Sequence, residues 1–252
     1  MDDILYETRE GVGHITFNRP EVRNSMKIAM YARLAEICRD PGDVKVLILR
    51  GAGDRAFAAG TDMTEFRGFS EPQDALDYEA RMDQVLGDVE RCGVPTIAAI
   101  TGACTGGGAA IAAACDLRIC DHRLKFGFPI ARTLGNCLSI GNLNRLAALL
   151  GQGRLREILF TARLIGSEEA ERIGLVAEIC DDVHARAAAL ADTLKGHAPL
   201  TLRATKEALR RLRVDGPAAE DADLITTTYM SRDFKHGMEA FLAKRAPEWA
   251  GE

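Results

Sequence analysis

Apolar and polar positions alternate along the first eighteen residues on either side of Glu10-Gly11. Ile4 to Arg9 and Val12 to Asn18 therefore predict a hairpin that Arg19-Pro20 closes. The period then lengthens. Met26, Met30, Leu34 and Ile37 recur at helical spacing behind Ser25, a suitable N-cap, and Pro41-Gly42 breaks that helix. Val44 to Leu49 and Pro95 to Ile100 are short continuous apolar runs of the kind buried strands need. The first ends at Gly51-Ala-Gly53-Asp54, and the second leads into Thr101-Gly-Ala-Cys-Thr-Gly-Gly-Gly108. Ala109 to Ala114 is so small in side-chain volume that it predicts a tightly packed buried helix. Leu117 to Cys120, Leu124 to Phe128 and Val176 to Ile179 read as further strands. From Asn142 the chain turns helical, with Leu143, Leu146 and Leu149-Leu150 on one face, and Ser167-Glu168-Glu169 caps Ala170 to Ile173. Val183 to Lys195, Leu200 to Arg213, Ala218 to Ser231 and His236 to Arg245 predict a helical end. No linker or composition break divides the chain. The pattern predicts one α/β domain, with 1–195 as its core and 196–252 as a helical region of the same domain.

Composition narrows the function. Of 252 residues 47% are hydrophobic, and 32 Lys and Arg against 37 Asp and Glu leave a net charge of −5, without the basic footprint of a nucleic-acid binder. Met1-Asp2-Asp3 opens acidic, so no secretion leader is expected. The longest apolar stretch, Val94 to Ala114, is interrupted by Pro95, threonines and glycines, which argues against a membrane span. An odd set of 7 cysteines implies reduced thiols and a cytoplasmic setting. Cys115, Cys120 and His122 lack a fourth ligand, so no metal site is expected and the two cysteines read as small buried hydrophobes. Cys104 and Cys137 are likewise expected to pack. Arg203, Lys206, Arg210, Arg211 and Arg213 lie opposite Leu202, Leu209 and Leu212, which predicts a solvated helix face.

No phosphate-cradling P-loop, dinucleotide fingerprint, H-E-x-x-H or G-x-S-x-G motif occurs. What remains is a pair of glycine-containing turns, each following a buried strand: Ala56 to Met63, and Gly106-Gly107-Gly108 at a helix start. Glycine lets main-chain N–H groups approach a ligand, and a helix N-terminus adds unpaired donors. Two such donors converging on one oxygen form an oxyanion hole. The plainer alternative is that the glycines only permit close helix packing.

The ordered motifs decide between these. Ile15-Thr16-Phe17-Asn18-Arg19-Pro20 with Arg23-Asn24, Val46 to Gly51, Ala56 to Asp62, Pro95 to Ile100, Gly102, Gly106-Gly107-Gly108, Cys115-Asp116-Leu117-Arg118, Phe126, Gly174-Leu175-Val176, Lys206 and the C-terminal Gly237 to Pro247 resemble the crotonase (enoyl-CoA hydratase/isomerase) superfamily across nearly the whole chain. The resemblance implies a spiral of ββα turns with two sheets and a helical C-terminal trimerisation region, assembled as a homotrimer or a dimer of trimers. It implies an acyl-CoA thioester ligand and no cofactor beyond the CoA moiety. The N–H groups of Thr61 and Gly107 become the oxyanion hole that stabilises a thioester enolate. Arg23, Ala59, Gly60, Asp62, Met63 and Lys244 fall at CoA-contact positions, with Arg245 beside them, and Asp62 also suits the cap of a helix starting near Met63.

Two departures matter. Family hydratases carry two catalytic glutamates, but the first position here is Ala110 and the second falls within Ile130-Ala131-Arg132; no Glu or Asp occurs from Lys125 to Arg156. Ordinary hydration is therefore expected to be weak. Arg132 offers a guanidinium for a carboxylate on the acyl group, suiting decarboxylation of a dicarboxylic thioester, against the plainer role of a surface or interface arginine. Glu65 and Asp83 are candidates to reach the acyl pocket, with surface positions as their default. A silent acyl-CoA-binding subunit is the remaining alternative.

Overall fold

The computed structural model describes residues 2–252. Strands β1 (Ile4–Arg9) and β2 (Val12–Phe17) form the expected antiparallel hairpin and lead to α1 (Ile28–Arg39). A repeating unit follows. β3 (Val46–Gly51), β4 (Ala56–Ala58) and α2 (Pro72–Glu90) make one turn; β5 (Thr96–Ile100), β6 (Ala103–Thr105) and α3 (Gly107–Ala114) make the next; β7 (Leu117–Cys120), β8 (Lys125–Gly127) and α4 (Ile130–Thr133) make a third. In each turn the first strand joins one sheet, in the order β1-β2-β3-β5-β7, and the second joins another, headed β4-β6-β8. The chain continues through α5 (Ile140–Leu150), α6 (Gln152–Thr161), β9 (Ile165–Gly166), which closes the second sheet, α7 (Ser167–Arg172) and α8 (Val183–Lys195). Helices α9 (Pro199–Asp215), α10 (Ala222–Tyr229) and α11 (Arg232–Leu242) complete it. No helix among the described residues is long and apolar enough to cross a membrane.

Alternation along the buried strands sorts side chains onto two faces. Val46 and Ile48 of β3 pack with Val183, Ala187 and Ala191 of α8, whereas Leu47 and Leu49 join the main core on the other face. In α3 every residue after Gly107 is buried, and the helix lies against α2 and α5. Its alanines allow that approach, as the sequence pattern predicted.

Three local expectations require correction. Ser25 is not a helix cap: Met26 pairs in extended form with Thr61, its N–H donating to the Gly60 carbonyl at 2.8 Å, so α1 begins only after Lys27. Val176 to Ile179 forms no strand; Ile179 alone makes a bridge, to Cys120. The charged face of α9 is solvated only in part: Arg203 is exposed, but Lys206 and Arg213 are not. Lys206 Nζ reaches Asp116 at 2.7 Å and Arg213 reaches Glu90 at 2.6 Å, both across the inner surface. Leu209 and Leu212 stand outward instead, 62% and 53% exposed. Ile225, Met238, Phe241 and Leu242 on the helices that follow are exposed as well.

Candidate active site

β4 and β6 are parallel neighbours, with Ala56 opposite Ala103 and Ala58 opposite Cys104. The turns that leave them consequently emerge side by side. Gly60 has φ +101°, a backbone conformation that L side chains rarely adopt. A Cβ on Gly60 would stand 3.3 Å from the Thr105 carbonyl oxygen and 3.8 Å from the Gly107 nitrogen, so the two turns touch. Neither the Thr61 nor the Gly107 N–H donates to a protein acceptor among the described residues. Gly107 is the first residue of α3, where the helix leaves its amides unpaired and places partial positive charge. Both amides line a cavity of about 310 Å³.

Side chains lock the first turn. Asn24 is fully buried; its Nδ2 donates to the Ala52 and Ala56 carbonyls at 3.0 and 2.8 Å, and its Oδ1 accepts from the Arg19 amide at 3.0 Å. The Ala59 amide donates to the Arg23 carbonyl at 3.0 Å. Asp62 caps the short 3-10 helix Met63–Phe66, as expected, accepting from the Thr64 amide at 3.1 Å and hydroxyl at 2.8 Å and from Arg19 at 2.8 Å. Those bonds, the Thr64 hydroxyl foremost, hold its carboxyl down at about 2. Above the turn, three hydroxyls form a chain: Tyr31 Oη lies 2.9 Å from Thr61 Oγ1, which lies 2.7 Å from Tyr78 Oη. Burial raises both phenols, so they remain neutral hydrogen-bonding groups. Tyr78 is braced by the Phe66 ring, edge-on at 4.9 Å.

The structure thus brings Ala59, Gly60, Thr61, Met63 and Gly107 to one cavity. Ala110 and Ile130 also line it and present only apolar groups. Arg132 is exposed on α4, outside the lining, although its neighbours Ile130 and Thr133 belong to it. Arg23 and Lys244 are exposed and do not line the cavity; each has left-handed backbone, with φ 55° and 52°. Glu65 does not line it either, and Asp83 turns away to Ser139 Oγ at 2.7 Å and Arg145 at 3.5 Å. Cys104 is buried, and burial raises its thiol far above the ordinary range, whereas Cys137 is exposed, contrary to its expected packing.

One carboxylate in the cavity wall escaped the sequence argument. Glu79 lies on α2, half-buried. The signal was available: Pro72 suits a first helical position, and Tyr78, Met82, Val85, Leu86 and Val89 recur at helical spacing. That periodicity places Glu79 beside the inward edge.

A spiral of strand–strand–helix turns, presenting main-chain amides from successive turns to one cavity, defines a crotonase-fold protein. The chain belongs to the enoyl-CoA hydratase/isomerase family, whose profile matches residues 7–252. It is 30% identical to the short-chain-enoyl-CoA hydratase of Clostridium acetobutylicum, with 98% of this chain and 97% of that protein covered. It is also 30% identical to the crotonyl-CoA hydratase of Syntrophomonas wolfei, covering 97% and 96%. Among solved structures, an enoyl-CoA hydratase/carnithine racemase from Magnetospirillum magneticum superposes with a TM-score of 0.90 at 33% identity, over 100% of this chain and 97% of that one.

Proposed function

We propose that the protein binds an acyl-CoA thioester with its carbonyl oxygen between the Thr61 and Gly107 amides, and that this grip stabilises the enolate formed at the α-carbon. The observation that carries the proposal is the pair of free N–H groups on touching turns at one cavity. Each such donor contributes about 2.7–4 kcal/mol to the stability of a developing oxyanion. The CoA moiety is the only cofactor the reaction requires, and the setting is the reducing cytoplasm. The outward leucines of α9 and the apolar surfaces of α10 and α11 suit burial between copies of the chain, as a trimer or a dimer of trimers.

Hydration is a minor activity on this reading. The first position at which the family resemblance puts a catalytic glutamate contributes the Ala110 methyl to the cavity wall, and of Ile130-Ala131-Arg132, within which the second falls, only Ile130 lines it. Each missing acid–base group costs about 10²–10⁴ in rate. Infrared difference spectroscopy of butyryl-CoA labelled with 13C at the thioester carbonyl tests the grip. The expected result is a carbonyl band moved to lower frequency on binding. An unmoved band on bound ligand removes the proposal, and crotonyl-CoA hydration at the rate of ordinary family hydratases removes the statement about water addition.

A further inference from the structure

Among the described residues, the only carboxylate in the wall of the amide-bearing cavity is Glu79. The other ionisable groups there are the two phenols, Tyr31 and Tyr78, already engaged with Thr61. Glu79 projects from the middle of α2, a helix held rigidly by Met82, Val85, Leu86 and Val89 in the core. Its carboxyl is half-buried, and burial raises its proton affinity; the Ser139 amide works against that, and Asp83 one turn along adds to it. Asp83 is itself committed to Ser139 Oγ and Arg145.

The same wall carries a residue with an unmet polar atom. Asn142 of α5 is 7% exposed, and its Oδ1 is buried without a hydrogen-bond partner. An orphaned amide oxygen costs about 1–3 kcal/mol. Asn142 stands in the first turn of α5, where its own N–H donates to Ser139 Oγ at 3.1 Å. Besides the amide pair, the cavity lining therefore includes Glu79 from α2 and Asn142 from α5.

We propose that Glu79 is the proton-transferring residue of this cavity, taking a proton from the α-carbon of the bound acyl-CoA and returning it to the same acyl chain. The inference rests on the thioester reading above and names the group that works with the amide grip. As the α C–H bond breaks, its proton passes to the Glu79 carboxylate. Its electron pair becomes the Cα–C π bond, and the carbonyl pair moves onto oxygen between the Thr61 and Gly107 amides. Return of the proton to Cα gives exchange without net change. Return to Cγ of a β,γ-unsaturated chain moves the double bond to the α,β position. Neither outcome consumes water, an oxidant or a reductant. One carboxylate suffices because the group that accepts the proton is the group that gives it back. Water addition, by contrast, requires water to be deprotonated while Cα is protonated.

The test is α-proton exchange of butyryl-CoA in D2O, followed by mass spectrometry, with butyryl-CoA affinity measured in parallel by calorimetry. Glu79→Gln is expected to slow exchange by about 10²–10⁴-fold while affinity stays within about threefold of the unsubstituted protein. Glu79→Asp keeps a carboxylate and is expected to fall between the two; Glu65→Gln, outside the cavity, keeps the full rate. An unsaturated substrate reports the same step, since 3-butenoyl-CoA should be converted to crotonyl-CoA only where Glu79 is intact. Exchange that survives in a butyryl-CoA-binding Glu79→Gln variant overturns the assignment and leaves the thioester reading standing. So does an unsubstituted protein that binds butyryl-CoA without exchanging it. Failure of the unsubstituted protein to bind butyryl-CoA overturns the thioester reading itself.

Discussion

Replacing Gly107 by alanine tests the amide grip through packing alone. A Cβ built on Gly107 overlaps the Tyr31 hydroxyl oxygen, stands 3.1 Å from Tyr31 Cζ and 3.3 Å from Thr61 Oγ1. Tyr31 is 1% exposed and cannot swing into solvent, so α3 and the hydroxyl must part by on the order of an ångström. A shift of that size at a reacting centre costs about 10²-fold in rate. Overpacking adds about 1–3 kcal/mol of destabilisation. Tyr31→Phe removes the overlapping oxygen while leaving Thr61 its bond to Tyr78, so the phenylalanine ring would meet the new methyl with a tight but tolerable 3.1 Å contact. Butyryl-CoA exchange rates and urea midpoints of the two single variants and the double variant form a cycle. The double variant should recover at least about tenfold of the rate lost in Gly107→Ala, a coupling of roughly 1.4 kcal/mol. Strictly additive effects, or a Gly107→Ala protein with full rate, would show that the hydroxyl and the amide do not share that space.

Three further outcomes are expected. Asp116→Ala strands the Lys206 ammonium, 11% exposed, and the buried Thr96 amide that donates to Asp116 at 2.8 Å. It should lower unfolding free energy by about 3 kcal/mol, toward the low end for a broken buried pair because Asp116 is partly exposed; a loss below about 1 kcal/mol in urea titration would contradict this. Asp62 has a folded-state pKa of about 2, below its ordinary 3.8, so its stabilisation is complete above pH 3.8 and disappears as pH falls through 2. The slope of stability against pH in that window should be shallower in Asp62→Asn; an identical slope would contradict the role of Asp62 in the turn. Phe241→Glu places a charge at an apolar side chain that is 82% exposed in the single chain. Light scattering should show a smaller particle than the unsubstituted protein, and an unchanged mass would exclude this surface as the contact between copies.

Most of the framework was legible because local pattern and global placement agree in it. The alternation of β1 and β2, the apolar runs of β3 and β5 and the small residues of α3 each admit one environment. Both glycine turns were visible because each follows such a run. The failures came where a distant partner decided. Ser25 has the chemistry of a cap, but pairing of Met26 with Thr61, 35 residues on, holds the chain extended past it. The charged stripe of α9 resembles a solvated face by composition, and only the distant Asp116 and Glu90 turn Lys206 and Arg213 inward. Glu65 and Asp83 are candidates only by proximity in sequence to the first turn, with a surface position as the default. Glu79 is legible only when α2 is laid out as a helix, since its polar stretch is dominated by charges and its inward face is a narrow stripe.

The register between β4 and β6 has a consequence for how such a protein changes over time. Because Ala56 sits beside Ala103 and Ala58 beside Cys104, the gap between the two loops is fixed by the repeat distance of a sheet, about 4.8 Å from strand to strand. Side-chain identity hardly enters that spacing. The surrounding wall is therefore free to exchange one reactive residue for another while the anchoring of the ligand stays constant, and a lineage can drift between chemistries without rebuilding its scaffold.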